Sequence, residues 1–220
     1  MNNALLILEI IFSSLALILL FRKFKYEGIY LFVIILSILL GIISQKAVEI
    51  FDLKINLGFI TSTLIIISSN IIVQKKGQEE IIKIISIIIL SNVTLYVFSI
   101  LTSLMTSSNI QEISNYALNK VFYLNKRTFF ASCISISSSV YLCSMLYHQI
   151  RQIKNKIWIS NILSMIIICF IECLLFCIIS YAFKMPALNI IELIVIRYVF
   201  TTIIGIAGTS IIYIVDKIER

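Results

Sequence analysis

Seven long apolar segments constrain the fold of this chain more than any other feature. A helix rises about 1.5 Å per residue, so about 20 residues cross a hydrocarbon core of about 30 Å. The segments cover residues 4–21, 29–45, 57–74, 81–104, 128–148, 157–183 and 189–215. The sequence therefore predicts an all-α fold, a polytopic membrane helix bundle with about seven transmembrane helices.

Composition agrees with this prediction. Of 220 residues, 60% are hydrophobic and 13% are charged, with mean hydropathy +1.06, whereas soluble domains have about 45–50% apolar and about 25% charged residues. There is one proline, Pro186, and no Gly/Ser-rich linker, so we predict one integral membrane domain over residues 1–220. All five cysteines fall in the apolar segments, which predicts free thiols: Cys133, Cys143, Cys169, Cys173 and Cys177.

The distribution of Lys and Arg predicts the orientation. Alternate connections carry eleven basic residues on one side, namely Arg22, Lys23, Lys25, Lys75, Lys76, Lys83, Arg151, Lys154, Lys156, Lys217 and Arg220. The other side carries six: Lys46, Lys54, Lys120, Lys126, Arg127 and Lys184. By the positive-inside rule the N-terminus lies outside and the C-terminus is cytoplasmic, in a multi-pass protein of the bacterial inner (plasma) membrane. Anionic membrane lipids account for the net charge of +7, and no nucleic acid partner is expected.

Four ionisable side chains fall within the apolar segments: Glu9, Glu172, Glu192 and Arg197. A charge at bilayer depth costs about 2.5–3.5 kcal/mol on insertion scales, so each needs a partner or a wet cavity. Helical rise places Glu172 about 15 Å and Arg197 about 12 Å below the outer boundary. We hypothesise a buried Glu172–Arg197 contact, with Glu192 as the rival partner of Arg197. A stabilising pair that binds no ligand is an equally weighted alternative.

Other polar positions are candidates for ligand contacts or for helix packing. Asn70 and Gln74 are four residues apart, so their amides share a helix face and either bind a polar ligand or bond to another helix. Stripes of small residues on two segments favour close helix packing: Ser132, Ser135 and Ser139, and Cys169, Cys173 and Cys177. The polar connection 105–126 is expected to cap a site on the outer face. There is no H-E-x-x-H, G-x-S-x-G or P-loop motif, so we expect neither an enzyme nor a cofactor or metal site.

The order of several motifs resembles the vitamin uptake transporter family, whose members include queuosine precursor transporters with an ECF substrate-component-like fold. The matching motifs are Lys25-Tyr26-Glu27-Gly28-Ile29-Tyr30, Gln45-Lys46-Ala47-Val48-Glu49-Ile50-Phe51, Leu57-Gly58, Arg127-Thr128-Phe129-Phe130-Ala131-Ser132, and Ile157-Trp158 followed by Ser164, Glu172 and Phe176. Ser69-Asn70 through Gln74 and Gly77 stand where the family reads Thr-Asp-x-x-x-Glu-x-Tyr-Gly. The resemblance implies one N-terminal helix followed by a six-helix core.

The polar positions depart from the family pattern more than the scaffold does. Charged or amide residues of the family are replaced by Val140, Cys143, Ser160, Cys169, Thr201 and Gly208. Glu172 keeps an acid, and Asn70 and Gln74 keep hydrogen bonding without charge. A site that loses buried charges changes its specificity for polar ligands.

The resemblance implies a transporter for a small heterocyclic solute such as queuine or its deazaguanine precursor. Its expected contacts are Asn70, Gln74, Glu172 and Arg197. Two alternatives stay open, a carrier of a less polar solute and a non-transporting membrane scaffold whose small-residue stripes serve helix association. An energising partner and a homo-oligomer also stay open.

Overall fold

The computed structural model of the protein describes residues 2–105 and 125–219, and nearly all of these residues are helical. The helices are α1 (Asn2–Ile43), α2 (Gly58–Lys76), α3 (Glu80–Leu104), α4 (Lys126–Lys154), α5 (Ile157–Tyr181), α6 (Ala187–Ala207) and α7 (Thr209–Glu219). Two short strands, β1 (Ala47–Ile50) and β2 (Leu53–Asn56), lie between α1 and α2. The predicted all-α membrane bundle is confirmed. Most of the connection predicted to cap a site, residues 106–124, lies outside the described residues.

Helix α1 is a sharply folded pair of helices. A straight helix of its 42 residues would be about 63 Å long. Yet the Asn2 side chain donates to the carbonyl of Glu49, 2.9 Å away and only six residues beyond the end of α1. Lys25, at φ 54° and ψ −134°, is the non-helical residue between the two halves. The halves, residues 2–24 and 26–43, therefore run in opposite directions and correspond to the first two predicted spans.

The helix count follows from this fold of α1. Within the described residues, six helices are long and apolar enough to cross a membrane, with α1 counted as one and α6 and α7 joined as one. Because α1 contains two antiparallel halves, the six helices provide the seven predicted spans. The last span is interrupted at Gly208, where an added Cβ would lie 2.2 Å from Cδ1 of Ile67. This close approach of α2 explains why a glycine stands at the break.

The β-hairpin was not predicted. Its strands pair antiparallel from Ala47 opposite Asn56 to Ile50 opposite Leu53. The two turn residues, Phe51 and Asp52, both have positive φ, at 49° and 62°, as a two-residue type I′ turn requires. Asn-Gly and Asp-Gly are the usual signals for this turn, and Phe-Asp carries neither. The hairpin defines one end of the bundle, called here the hairpin end.

The opposite end, called here the kink end, carries Lys25, the last residues of α2 and α7, and the start of α3. Helix α2 lies at the centre of the bundle, packed by α1, α4 and α6. Of its most apolar stretch 89% is buried, whereas the corresponding stretches of the other spans are 17% to 50% buried. Its hydroxyls bond back to its own carbonyls, as Thr63 does to Phe59 at 2.7 Å and Ser68 to Leu64 at 2.7 Å. Helix α2 thus buries these hydroxyls with their hydrogen bonds satisfied.

Candidate functional site

A buried ion pair joins α5 and α6. Arg197 and Glu172 are each 2% exposed. Nη2 of Arg197 lies 2.7 Å from Oε1 of Glu172, and Nε donates to Oε2 at 3.3 Å. This forked arrangement is the strongest geometry for an arginine–carboxylate pair. The contact predicted between these two residues is present, and Arg197 pairs with Glu172 instead of Glu192.

The rest of the Arg197 guanidinium is only partly used. Nη2 also donates to Oγ of Ser62 on α2, at 3.5 Å. Cζ lies 4.2 Å from the centroid of the Phe176 ring, a cation–π contact that covers one face of the guanidinium. Nη1 is buried and has no hydrogen-bond partner in the described residues. Arg197 therefore retains donors for a further group.

Two smaller side chains hold the pair in place. The Cys173 thiol donates to Oε2 of Glu172 at 3.5 Å and lies 3.6 Å from Oγ1 of Thr201. Thr201 in turn donates to the carbonyl of Arg197 at 2.9 Å. Thr201 is one of the positions where the resemblance led us to expect a charge. Its hydroxyl instead donates to local acceptors beside the buried ion pair.

A cavity of about 550 Å³ opens above this pair at the hairpin end. Its walls come from the β-hairpin, the last turns of α5 and the first turns of α6. The lining residues are Ala47, Asp52, Leu53, Lys54, Ile55, Asn56, Phe176, Cys177, Tyr181, Met185, Asn189, Glu192, Leu193, Ile196 and Arg197. Apolar and aromatic side chains form most of the wall, with polar groups at the rim and Arg197 at depth. Ligand pockets commonly have this composition.

The charges around the cavity are unevenly paired. Glu172 neutralises Arg197, while Glu192, Asp52 and Lys54 are exposed at the rim. The ion pairs found among the described residues involve none of these three rim groups. The charged side chains that line the cavity are two cations, Lys54 and Arg197, and two carboxylates, Asp52 and Glu192.

Asn70 lies in a second polar cluster, in the interior of the bundle. Its Nδ2 donates to Oδ1 of Asn161 at 3.1 Å and to Sγ of Cys143 at 3.6 Å. Asn161 donates to Oγ1 of Thr209 at 2.9 Å and to the carbonyl of Gly205 at 3.4 Å. The cluster links α2, α4, α5 and the junction of α6 with α7. These are the interhelical bonds that formed the alternative to ligand binding for Asn70.

Gln74 also bonds to another helix, because its Oε1 accepts a 2.7 Å hydrogen bond from Oη of Tyr147 on α4. Along α2, Asn70 and Gln74 lie eight and twelve residues beyond Ser62, or about 12 and 18 Å by helical rise. Ser62 touches the Arg197 guanidinium. The four predicted site residues thus form two groups, Asn70 with Gln74 and Glu172 with Arg197. Of the four, Arg197 lines the cavity at the hairpin end, and Glu172 contacts Arg197.

Asn161 was missed from the sequence, although an Asn inside an apolar segment is a signal that could have found it. It is 0% exposed. Glu9, the fourth intramembrane charge, lines a smaller cavity of about 190 Å³ between the first half of α1 and the hairpin, together with Asn2 and Lys46. This cavity is separate from the one that contains Arg197.

The cysteines and the hydroxyl stripe behave as packing residues. All five cysteines are free, as predicted. Ser132, Ser135 and Ser139 are buried in the face of α4 that packs in the bundle. Within residues 2–105 and 125–219, no group of three His, Cys, Asp or Glu side chains is arranged to hold a metal ion.

The family comparison agrees with this architecture. A family model described as "Putative vitamin uptake transporter" matches residues 56–215, more than two thirds of the chain. The match begins at the last residue of β2 and ends in α7, so it includes α2, Arg197 and Glu172. No curated protein and no solved structure matches the chain.

Proposed function

We propose, since the chain belongs to the vitamin uptake transporter family, that it carries a small heterocyclic solute across the bacterial inner membrane. The solute class is queuine or a related deazaguanine, a queuosine precursor. The observation that carries the proposal is the cavity of about 550 Å³ with an arginine of unused hydrogen-bonding capacity at its depth. Arg197 and Glu172 are its central residues.

The size and chemistry of the cavity suit such a solute. Small-molecule sites have volumes of about 300–1,000 Å³ and combine an apolar wall with a few polar groups. Phe176 and Tyr181 supply aromatic surface for a flat ring, and Asn189 supplies an amide at the rim. Arg197 supplies donors to a ring carbonyl. Asn70 and Gln74, bonded to other helices, act in this proposal as packing residues that hold α2 against α4 and α5.

Two alternatives were left open by the sequence. A cavity too small for a nucleobase, or one filled by side chains, would favour the scaffold alternative. The observed volume of about 550 Å³ is large enough for such a ring and does not favour it. A carrier of a less polar solute stays a second candidate, because the residues that replace charged family positions, Val140, Cys143 and Cys169, are all buried and add apolar surface to the interior. A ligand screen by thermal shift separates this candidate from the first.

The contacts at the two ends of the bundle support a transport cycle. With the N-terminus outside, the hairpin end faces outward and the cavity receives solute from outside. At the kink end Lys75 pairs with Asp216 at 2.6 Å and with Glu219 at 2.8 Å, which holds α2 to α7. Release to the cytoplasm then requires these helices to separate while the hairpin end closes. Rocking of helix groups about a fixed site is the general mechanism of secondary transporters.

Uptake by whole cells tests the proposal. Cells that lack their own carrier and express this chain are given labelled queuine or its deazaguanine precursor, and accumulation is compared with that of cells carrying an empty vector. Insertion in the membrane is verified for the same cells. Uptake above the empty-vector level supports the proposal, and a correctly inserted protein that gives no uptake of either compound contradicts it.

A further inference from the structure

The smaller cavity at the hairpin end contains two opposite charges that do not meet. Its volume is about 190 Å³, and it is lined by Glu9 on α1 and by Lys46, which precedes β1. Neither side chain belongs to an ion pair found among residues 2–105 and 125–219. A carboxylate within a membrane span is unfavourable without a partner, so a ligand that brings a positive charge to Glu9 stabilises it.

This cavity is distinct from the one that contains Arg197. Successive side chains of a strand point to opposite faces of the sheet. In β1, Val48 and Ile50 line the smaller cavity, whereas Ala47 lines the larger one. The hairpin therefore separates the two cavities, and a ligand of the smaller cavity is independent of the transported solute.

The smaller cavity adjoins the apolar outer surface of the first half of α1. Asn2, Leu5 and Glu9 line it at helical spacing. Leu5 is also 54% exposed, and Leu8 and Phe12, three and seven residues further along the same face, are 64% and 70% exposed. In a membrane span such side chains contact acyl chains. A lipid chain can therefore run from the cavity along α1 into the bilayer.

We propose that this cavity binds the headgroup of a zwitterionic phospholipid with a primary ammonium, as in phosphatidylethanolamine. The ammonium donates to the Glu9 carboxylate, the phosphate contacts the Lys46 ammonium, and an acyl chain covers the exposed face of α1. A phosphate alone would be repelled by Glu9, and an ammonium alone would be repelled by Lys46. A group with both charges is complementary to both side chains.

The size and wall of the cavity favour a headgroup of this kind. Pockets for small molecules have volumes of about 300–1,000 Å³, and this cavity is smaller. The rest of its wall is mostly aliphatic: Leu5, Leu6, Val48, Ile50 and Leu57. These side chains offer no hydrogen bonds, so the two charges determine which headgroup binds. The methyl groups of phosphatidylcholine add bulk and remove every donor to Glu9.

Binding of short-chain lipids to the purified full-length protein in detergent tests the inference. Dihexanoyl forms of phosphatidylethanolamine, phosphatidylcholine and phosphatidylglycerol are compared by ligand-dependent thermal shift. We expect the ethanolamine lipid to bind roughly tenfold more tightly than the choline lipid, which loses a hydrogen bond to a charged group. The anionic glycerol lipid also binds more weakly than the ethanolamine lipid. Tighter binding of the anionic lipid, equal binding of the ethanolamine and choline lipids, or no binding of any lipid overturns the inference.

Two variants test the individual contacts. Glu9→Gln should remove most of the preference for ethanolamine over choline, and a preference that persists in this variant overturns the role of Glu9. Lys46→Gln should weaken both lipids by a similar factor, roughly fivefold for an exposed charge pair, and unchanged binding overturns the phosphate contact. The matched controls are exposed residues away from the cavity, Glu27→Gln on α1 near the kink end and Lys184→Gln at the hairpin end. Neither control should change binding or preference.

A further probe distinguishes a membrane lipid from a soluble zwitterion. Glycerophosphoethanolamine carries both charges of the headgroup and has no acyl chain. We expect it to bind at least about tenfold more weakly than the dihexanoyl lipid, because it leaves the apolar face of α1 uncovered. Equal binding of the two compounds overturns the assignment of the cavity to a lipid.

Discussion

The two ends of the bundle use their charges in different ways. At the kink end, Lys75 bridges Asp216 and Glu219, Tyr26 donates to Glu219, and Tyr30 donates to Glu80 at 2.5 Å. At the hairpin end, Asp52, Lys54 and Glu192 have no ion-pair partner among the described residues and surround a cavity. Charged side chains hold helices together at the kink end, whereas at the hairpin end they border a cavity.

Aromatic rings reinforce the paired end. Nζ of Lys76 lies 5.0 Å and 5.5 Å from the ring centroids of Tyr26 and Tyr30, and Nζ of Lys83 lies 4.6 Å from that of Tyr30. These contacts connect the fold of α1 to the end of α2 and the start of α3. The basic residues that predict the cytoplasmic side therefore also connect neighbouring helices. Lys75, Lys76 and Lys83 thus contribute both to the positive-inside bias and to contacts between helices.

The Glu172–Arg197 pair is the sharpest test of this comparison, since Arg197 lines the cavity at the hairpin end and nevertheless forms an ion pair. Arg197→Gln or Glu172→Gln alone is expected to lower the free energy of unfolding by about 3–5 kcal/mol, because each leaves an unpaired buried charge. The double variant recovers much of that loss. Thermal unfolding of the protein in detergent measures both effects.

Transport by the double variant then separates two roles of the pair. If the double variant is as stable as the native chain but no longer takes up the solute, the pair contributes to solute binding. Uptake at the native level in that variant makes the pair purely structural and contradicts the proposed site.

The interior cluster is expected to contribute stability without contributing to solute binding. In a double-mutant cycle of Asn70→Ala and Asn161→Ala, the coupling energy should fall near 0.6 kcal/mol and not exceed about 1.7 kcal/mol, the range for hydrogen bonds between membrane helices. The KM for uptake should stay at the native value in every variant that inserts. A higher KM in Asn70→Ala would contradict this expectation and would show that Asn70 contributes to solute binding together with Arg197.

The smallest expected effect compares one lysine from each end. Lys75→Met removes two ion pairs of a side chain that is 28% exposed, and surface pairs contribute about 0.2–1 kcal/mol each. Lys54→Met removes no ion pair and should leave the unfolding temperature unchanged. Equal losses of thermal stability in the two variants would contradict the conclusion that lysines stabilise the kink end more than the hairpin end.

Much of the architecture could be predicted from the sequence. Apolar segment length located the seven spans of the described residues to within about six residues at their ends, since each span must satisfy its backbone inside the helix and cover a bilayer of fixed thickness. The Glu172–Arg197 contact followed from the same rise per residue, applied to two antiparallel spans. The β-hairpin was missed because Phe51-Asp52 carries no standard turn signal. The division of α6 from α7 at Gly208 was missed because both parts are apolar.

The candidate site was only half predicted. Asn70 and Gln74 were correctly placed on one helix face, but spacing along a helix does not specify which neighbour that face meets. Asn161 accepts a hydrogen bond from Nδ2 of Asn70, and Tyr147 donates one to Oε1 of Gln74. The cavity was not visible in the sequence at all, since its wall combines the hairpin with two helices more than a hundred residues away.

The sequence by itself determined that this chain is a membrane bundle with seven spans, because helix length and hydrophobicity are local properties that the bilayer constrains directly. Only the tertiary structure decided which buried polar groups pair with each other and which have no partner among the described residues. Lipid and protein interior are equally apolar, so hydropathy does not distinguish a helix face that meets lipid from one that meets another helix. Arg197 was a candidate binding residue from the sequence, and the structure added that Glu172 occupies two of its nitrogens while the third has no partner among the described residues.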